Sequence, residues 1–331
     1  MWGRGLSLLD VRDLSVSFPV GQRAVEVVSS LSLTVDRGEF VGLVGESGSG
    51  KTMTALATMR LVPRPGKVTT GSVEFDGTDL LGLSDTAMRK IRGDRIAMVF
   101  QEPMTALNPV FTIGFQICEV LFAHRSMSRR EALREAERLL DLVAMPDAAS
   151  RLSDYPHQLS GGQRQRAMIA MALACQPDLL LADEPTTALD VTIQAQILEL
   201  LDQLRHELEL AVLLITHDLS VVAETCDRAL VMYSGRIVEE GPVQRLFREP
   251  AHPYTQGLLG SLPRLGQPAE RGKLPQIPGQ IPDPAERPGG CAFHPRCPKV
   301  LEQCGDALPA PMELASDQRV SCFLFGEGAV S

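Results

Sequence analysis

No apolar run in this chain of 331 residues approaches the roughly 20 residues needed to span a bilayer, so no transmembrane helix is predicted. No secretory leader is expected either. The start, MWGRGLSLLDVRD, meets Asp10 and Asp13 before an apolar signal core could form. These absences predict a chain kept in the cytoplasm and held at a membrane, if at all, by other subunits. Basic charge is also scarce. The formal net charge of −9 gives no general attraction for nucleic acid phosphates, though it leaves room for a local basic groove. There is no internal repeat. None of the seven cysteines forms a Cys-x-x-Cys pair. Cys118, Cys175 and Cys226 stand in apolar surroundings and read as small buried hydrophobes.

What is present is a soluble composition, 44% apolar and 22% charged. The length allows a sizeable core and more than one domain. Leu8 to Phe18, Val25 to Val35, Phe40 to Val44, Ser72 to Phe75 and Arg95 to Phe100 read as strands. Lys51 to Leu61 has helical composition. From Pro103 to about Gln176 the pattern is helical, and Ser128 with Glu131 makes a capping box ahead of REALREAERLLDLV. Leu179 to Ala182 and Ala211 to Thr216 are short continuous apolar runs, the signature of central parallel strands, with a helix over Val191 to Leu208 between them. Ala229 to Val238 reads as a hairpin around Ser234-Gly235. Beyond Gly241 the composition changes. Fourteen of the 23 prolines lie between Pro242 and Pro311, a density that opposes long helices and central strands. The tail is expected to be a separate, irregular unit.

Two segments carry chemistry. Gly45-Glu46-Ser47-Gly48-Ser49-Gly50-Lys51-Thr52 follows a strand and opens a helix, the context of a phosphate-binding loop. Its glycines let backbone N–H groups turn inward on phosphate oxygens, and the helix N-terminus adds positive potential. Lys51 is expected to reach the β- and γ-phosphates, and the Thr52 hydroxyl to ligate Mg²⁺. The run LLLADE sets Asp183 and Glu184 where an apolar strand leaves the core. Asp183 is the expected Mg²⁺ partner and Glu184 the expected general base for the attacking water. An ordinary strand ending in two solvated carboxylates is common. The phosphate loop upstream makes the chemical reading the better one.

Five further pieces complete an order. Phe18 lies near the end of the first strand, Gln101 ends RIAMVFQ, and LSGGQRQR covers Leu159 to Arg166. Asp190 closes Ala188-Leu189-Asp190, and His217 ends AVLLITH. With the two segments above, the set resembles the nucleotide-binding subunits of ABC transporters over about residues 6–250. The resemblance implies an α/β fold: a RecA-like phosphate-loop core with an antiparallel β subdomain and an inserted helical subdomain, about residues 103–176. It implies that Phe18 stacks on adenine, although a core aromatic explains that residue too. It gives Gln101 to Mg²⁺ or the attacking water, His217 to the γ-phosphate, and Asp190 to the nucleotide site. It also implies that Ser160, Gly161, Gly162 and Gln163 contact the γ-phosphate of ATP bound on an opposite subunit. With one phosphate loop and one LSGGQ, the chain is expected to pair with an identical or related subunit around two ATP molecules.

The tail narrows the branch. His252-Pro253-Tyr254-Thr255 is followed by GLLGSLP, and then by Cys291-x5-Cys297-x6-Cys304-x17-Cys322. Four thiols in a proline-rich unit with little core suggest a staple, and a disulfide is disfavoured in a reducing compartment. Four cysteines suit a 4Fe–4S cluster or Zn²⁺, and unligated thiols remain a third reading. His294, between Cys291 and Cys297, is better read as structural. With FQEPMTALNP upstream, residues 251–331 resemble the C-terminal extension of oligopeptide and dipeptide importer ATPases. The resemblance favours 4Fe–4S. It implies two membrane permease subunits and an extracytoplasmic solute-binding protein as partners, at the cytoplasmic face of the cell membrane. An importer of nickel, glutathione or another small solute is the alternative. A soluble ABC protein of DNA repair or translation, or a binding module without hydrolysis, fits less well.

Overall fold

The computed structural model describes residues 7–187, 189–262, 276–315 and 317–326. The chain opens with β1 (Leu9–Val20), β2 (Arg23–Val35), β3 (Phe40–Val44), α1 (Lys51–Thr58), β4 (Lys67–Phe75) and β5 (Thr78–Asp79). There follow α2 (Asp85–Ile91), β6 (Ile96–Val99), α3 (Pro103–Ala106), α4 (Ile113–His124), α5 (Arg129–Leu142), α6 (Ala148–Arg151) and α7 (Gly161–Leu173). The next elements are β7 (Leu179–Asp183), α8 (Val191–Leu208), β8 (Ala211–Thr216), α9 (Leu219–Thr225), β9 (Arg228–Tyr233) and β10 (Arg236–Pro242). Last come α10 (Val243–Arg248), α11 (Pro253–Gly260), β11 (Met312–Ala315) and β12 (Gln318–Val320).

These elements divide into two compact units. The first holds the described residues up to Thr34, Val41–Leu81, and those from Ile215 onward. One of its sheets is antiparallel, in the order β2-β1-β4-β5. Alternation explains it: Leu9, Val11, Leu14 and Val16 turn inward along β1 and are buried. The other sheet of this unit runs β11-β12-β10-β9-β3, with β3 parallel to β9 and Val44 beside Val231. Residues Phe40 to Val44 are buried throughout, as a strand covered on both faces must be.

The tail is built into this unit. β12 extends the sheet, placing Glu239 beside Val320 and Glu240 beside Arg319. Tyr254 and Phe293 pack on Tyr233 with ring centroids 4.6–5.3 Å apart, in a cluster that also holds Val44 and Val231. The buried Glu239 carboxylate accepts from the N–H groups of Ala251 (2.7 Å) and His252 (2.9 Å) and from Gln318 Nε2 (2.8 Å). The separate unit expected from proline content is therefore joined to the core by strand pairing, aromatic packing and a shared buried carboxylate.

The second unit comprises Val35–Phe40 and Gly82–Leu214. It contains the parallel strands β6 and β7, with Val99 beside Ala182. Around them lie the helices of the expected 103–176 region and also α2 and α8. In α5, Ala132, Ala136, Leu139 and Leu140 form the buried stripe, at the spacing of one helix face. The expected capping box is present: Glu131 N–H donates to Ser128 Oγ at 3.3 Å, and Ser128 N–H to Glu131 Oε2 at 2.8 Å. The helix expected over Val191 to Leu208 has those ends, with Asp190 as its N-cap.

Candidate functional site

In the first unit, β3 ends at Val44 and α1 begins at Lys51, so the glycine loop occupies the strand-to-helix turn. Two positions require glycine. A Cβ on Gly45 would stand 2.1 Å from Met232 O, and Gly50 has φ 107° at the N-cap of α1. Lys51 is buried and folds back over the loop, its Nζ donating to Gly45 O at 2.7 Å and Glu46 O at 3.1 Å. Ser49 Oγ is buried with no hydrogen-bond partner, a polar atom whose desolvation is uncompensated without a ligand. Thr52 stands exposed in the first turn of α1. The loop is pinned from outside by Gly235 N–H on Ser49 O (2.7 Å) and by Glu46 N–H on Tyr254 Oη (2.9 Å). His217 follows the last residue of β8 and is exposed. Phe18 is half-buried, its ring so close to Gly66 that a Cβ there would meet Phe18 Cζ at 2.4 Å.

In the second unit, the parallel register brings the ends of β6 and β7 together. Gln101 and Glu184 lie just beyond those ends, and Gln101 Nε2 donates to Glu184 Oε2 at 2.9 Å. Thr187 Oγ1 donates to the same oxygen at 2.8 Å. Glu184 has φ 45°, a left-handed conformation that costs a non-glycine residue about 1 kcal/mol or more. Such strain, held by neighbours, is common at sites that aim a side chain. Asp183, one residue earlier, is 2% exposed. Thr187 is absent from the sequence reading. Only its place three residues after the carboxylate hinted at a role.

The signature segment also lies in the second unit. Ser160 is the N-cap of α7, and it forms a reciprocal box with Gln163. Ser160 N–H donates to Gln163 Oε1 at 2.9 Å, and Gln163 N–H to Ser160 Oγ at 3.3 Å. Gly162 is required by packing, since a Cβ would lie 2.8 Å from Ile193 Cγ2. Ser160 is exposed and Gly161 half-buried, which leaves the positive end of a thirteen-residue helix open. Asp190 spends one carboxylate oxygen on capping α8, accepting from Ile193 N–H at 2.9 Å.

The four tail cysteines line one small crevice, beside His252, His294 and Lys299. Two sulfurs accept backbone N–H bonds at 3.4 Å, Cys297 from Lys299 and Cys304 from Leu301. Burial foremost, and the other three cysteines after it, push the Cys322 thiol up to about 11. His252 is 1% exposed, held neutral by burial at about 3, and takes the Tyr254 N–H on Nδ1. Among the described residues, no group of three or more His, Cys, Asp or Glu side chains is placed to hold a single metal ion.

A family model described as ABC transporter matches residues 28–187. A putative peptide import ATP-binding protein of Brucella melitensis is 55% identical, over 91% of this chain and 92% of its own length. The chain belongs to the ABC transporter family. Its fold is that of the family's phosphate-loop ATPase cassettes. A dimeric bacterial ABC transporter cassette superposes with TM-score 0.64 at 32% identity, covering 71% of this chain and 98% of the cassette. The same cassette solved in a post-hydrolysis state with ADP and Pi matches equally well. A second model, the oligopeptide/dipeptide transporter C-terminal region, matches residues 238–304 of this ABC ATPase. The dipeptide transport ATP-binding protein DppD of Haemophilus influenzae is 49% identical over 96% of the chain and 95% of its own length.

Proposed function

We propose that this ATPase drives import of di- and oligopeptides as one of two nucleotide subunits attached to membrane permeases. The carrying observation is that one chain holds both the cassette and, over residues 238–304, the C-terminal region of oligopeptide and dipeptide transporters. In this reading the N–H groups of Gly45–Thr52 and Lys51 take the β- and γ-phosphates. Thr52, Asp183 and Gln101 would hold Mg²⁺, which supplies charge neutralisation at the phosphates. Glu184, oriented by Gln101 and Thr187, polarises the attacking water. His217 bonds the γ-phosphate, Phe18 stacks on adenine, and Asp190 belongs to the nucleotide site. Ser160, Gly161, Gly162 and Gln163 meet the ATP of the opposite subunit, so closure of the pair follows nucleotide binding.

The permease face is assigned to the second unit. Phe100, Met104, Val110, Phe111, Phe115 and Phe122 are exposed there, and the rings of Phe111 and Phe115 stack at 4.6 Å. Exposed apolar side chains over this short stretch support that assignment. No helix among the described residues is long and apolar enough to cross a membrane, so attachment at the cytoplasmic face is left to the permeases. An extracytoplasmic binding protein would deliver the solute.

We propose 4Fe–4S ahead of Zn²⁺ for the four cysteines, because the tail resembles the C-terminal extension of oligopeptide and dipeptide importer ATPases. Four sulfurs border one pocket, yet they are not gathered as ligands of a single ion. The N–H bonds to the Cys297 and Cys304 sulfurs would stabilise the charge of a bound cluster. Anaerobically purified protein should be brown, and Cys297→Ser should remove the colour. Colourless protein with stoichiometric zinc would reverse the choice. The transport reading is tested by isolating the intact membrane complex, identifying its subunits, and measuring ATP hydrolysis with candidate solutes. Stimulation by peptides supports it. Stimulation by nickel or glutathione alone overturns it.

A further inference from the structure

The glycine loop contains a carboxylate. Glu46, its second residue, sits where a triphosphate is to be received, and an acidic side chain there repels that ligand. The structure cancels the charge from far along the chain. Arg296 grips Glu46 with both arms of its guanidinium, Nη1 to Oε2 at 2.7 Å and Nη2 to Oε1 at 3.0 Å. The Arg296 side chain is 7% exposed, so the pair is shielded from solvent on its cationic side.

The guanidinium is itself fixed. Its Nε donates to Pro278 O at 2.8 Å, and it lies 5.8 and 5.9 Å from the ring centres of Tyr233 and Phe293. Tyr254 Oη takes the Glu46 N–H at 2.9 Å, so main chain and side chain of one loop residue are both held by residues beyond 250. Arg296 ends the 3-10 turn His294–Arg296, directly before Cys297. That turn hangs on the cysteine unit: His294 N–H donates to Cys291 O at 3.0 Å, and Cys291 N–H to Cys304 O at 2.9 Å.

We propose that Arg296 is a positioning residue for nucleotide binding: the cysteine turn carries it to Glu46, where it cancels and orients the loop's carboxylate, so the folding of that turn sets nucleotide affinity. This rests on the reading that Gly45–Thr52 binds phosphate, and it holds whichever metal the cysteines take. A purely structural pair and a charge-cancelling brace differ in how the two substitutions combine. Losing Arg296 leaves Glu46 facing the phosphates. Losing Glu46 as well removes the repulsion, so the second substitution repairs part of the first.

The test is titration of the full-length chain with a fluorescent ATP analogue and with ADP, alongside hydrogen exchange of the loop amides. Arg296→Met should weaken nucleotide binding about tenfold, the scale of one charge-assisted contact. Arg296→Lys should fall between that and wild type, and adding Glu46→Gln to Arg296→Met should restore affinity to within a few-fold. In turnover, KM for ATP should rise while kcat changes little. Exchange at residues 46–50 should quicken with β9 amides unaffected. Cys297→Ser should weaken binding as Arg296→Met does, with no further loss when the two are combined. Wild-type affinity in Arg296→Met, or an Arg296→Met loss that Glu46→Gln deepens, overturns the brace. Unchanged affinity in Cys297→Ser overturns the link to the cysteine turn. If Arg296→Met fails to fold, Glu46→Gln alone decides: binding at or above wild type supports the brace, and a tenfold loss overturns it. Lys51→Ala separates the two readings. If it binds nucleotide normally, the phosphate-loop assignment is wrong. If it fails to bind while Arg296→Met binds normally, only the brace is wrong.

Discussion

Glu184 combines a left-handed backbone with two hydrogen-bond donors on one carboxylate oxygen. Glu184→Gln should leave ATP binding intact and slow hydrolysis about 10²–10⁴-fold, the usual worth of a general base. Single-turnover hydrolysis checks it, and a wild-type rate would remove the assignment. Thr187→Val should give a smaller loss in the same assay, since it frees the carboxylate without deleting it. Gly45→Ala acts differently. Its methyl has no room beside Met232 O at 2.1 Å, so a stability loss of about 3 kcal/mol is expected with nucleotide binding lost; an unchanged thermal midpoint would contradict the packing. The loop, the acidic pair and the signature are legible as candidates because each is a run of adjacent residues. Thr187, Tyr254 and Arg296 are not. Their roles depend on a partner that only folding brings close, and nothing in HPYT or AFHPR names it.

At the scale of elements, local chemistry marked boundaries well. The Ser128/Glu131 box starts α5 as expected, and Asp190 starts α8. Ser128→Ala should cost about 1 kcal/mol of stability through the lost cap. Hydrogen bonds from Ser128 hold the Glu131 carboxyl below its ordinary range. A lowered carboxylate contributes stability above its unfolded pKa and loses it as pH falls through the folded value. Urea unfolding below the ordinary carboxylate range should therefore show a smaller difference between Ser128→Ala and wild type than at neutral pH. An undiminished difference would mean that Glu131 takes no part. β11 and β12 give little sequence signal because they are four and three residues long, and the pairing of β12 with β10 is non-local. Proline density described the composition of the tail correctly and its attachment poorly.

At the scale of the whole molecule, the proposed nucleotide sandwich pairs the exposed N-terminus of α7 with ATP on a second subunit. Mixed with ATP and Mg²⁺, Glu184→Gln should form dimers by light scattering, alone or with its related subunit, while Lys51→Ala stays monomeric. Dimers of equal strength without nucleotide would contradict the sandwich. The Glu46–Arg296 pair joins positions 250 residues apart. Ribosomes add about 5–20 residues each second, so the loop leaves the ribosome well ahead of its clamp. For roughly 10–50 s the growing chain holds a phosphate loop with an uncancelled acid in it. On the proposed brace, the loop reaches its full nucleotide affinity only once Arg296 has been made and its turn has folded against Glu46.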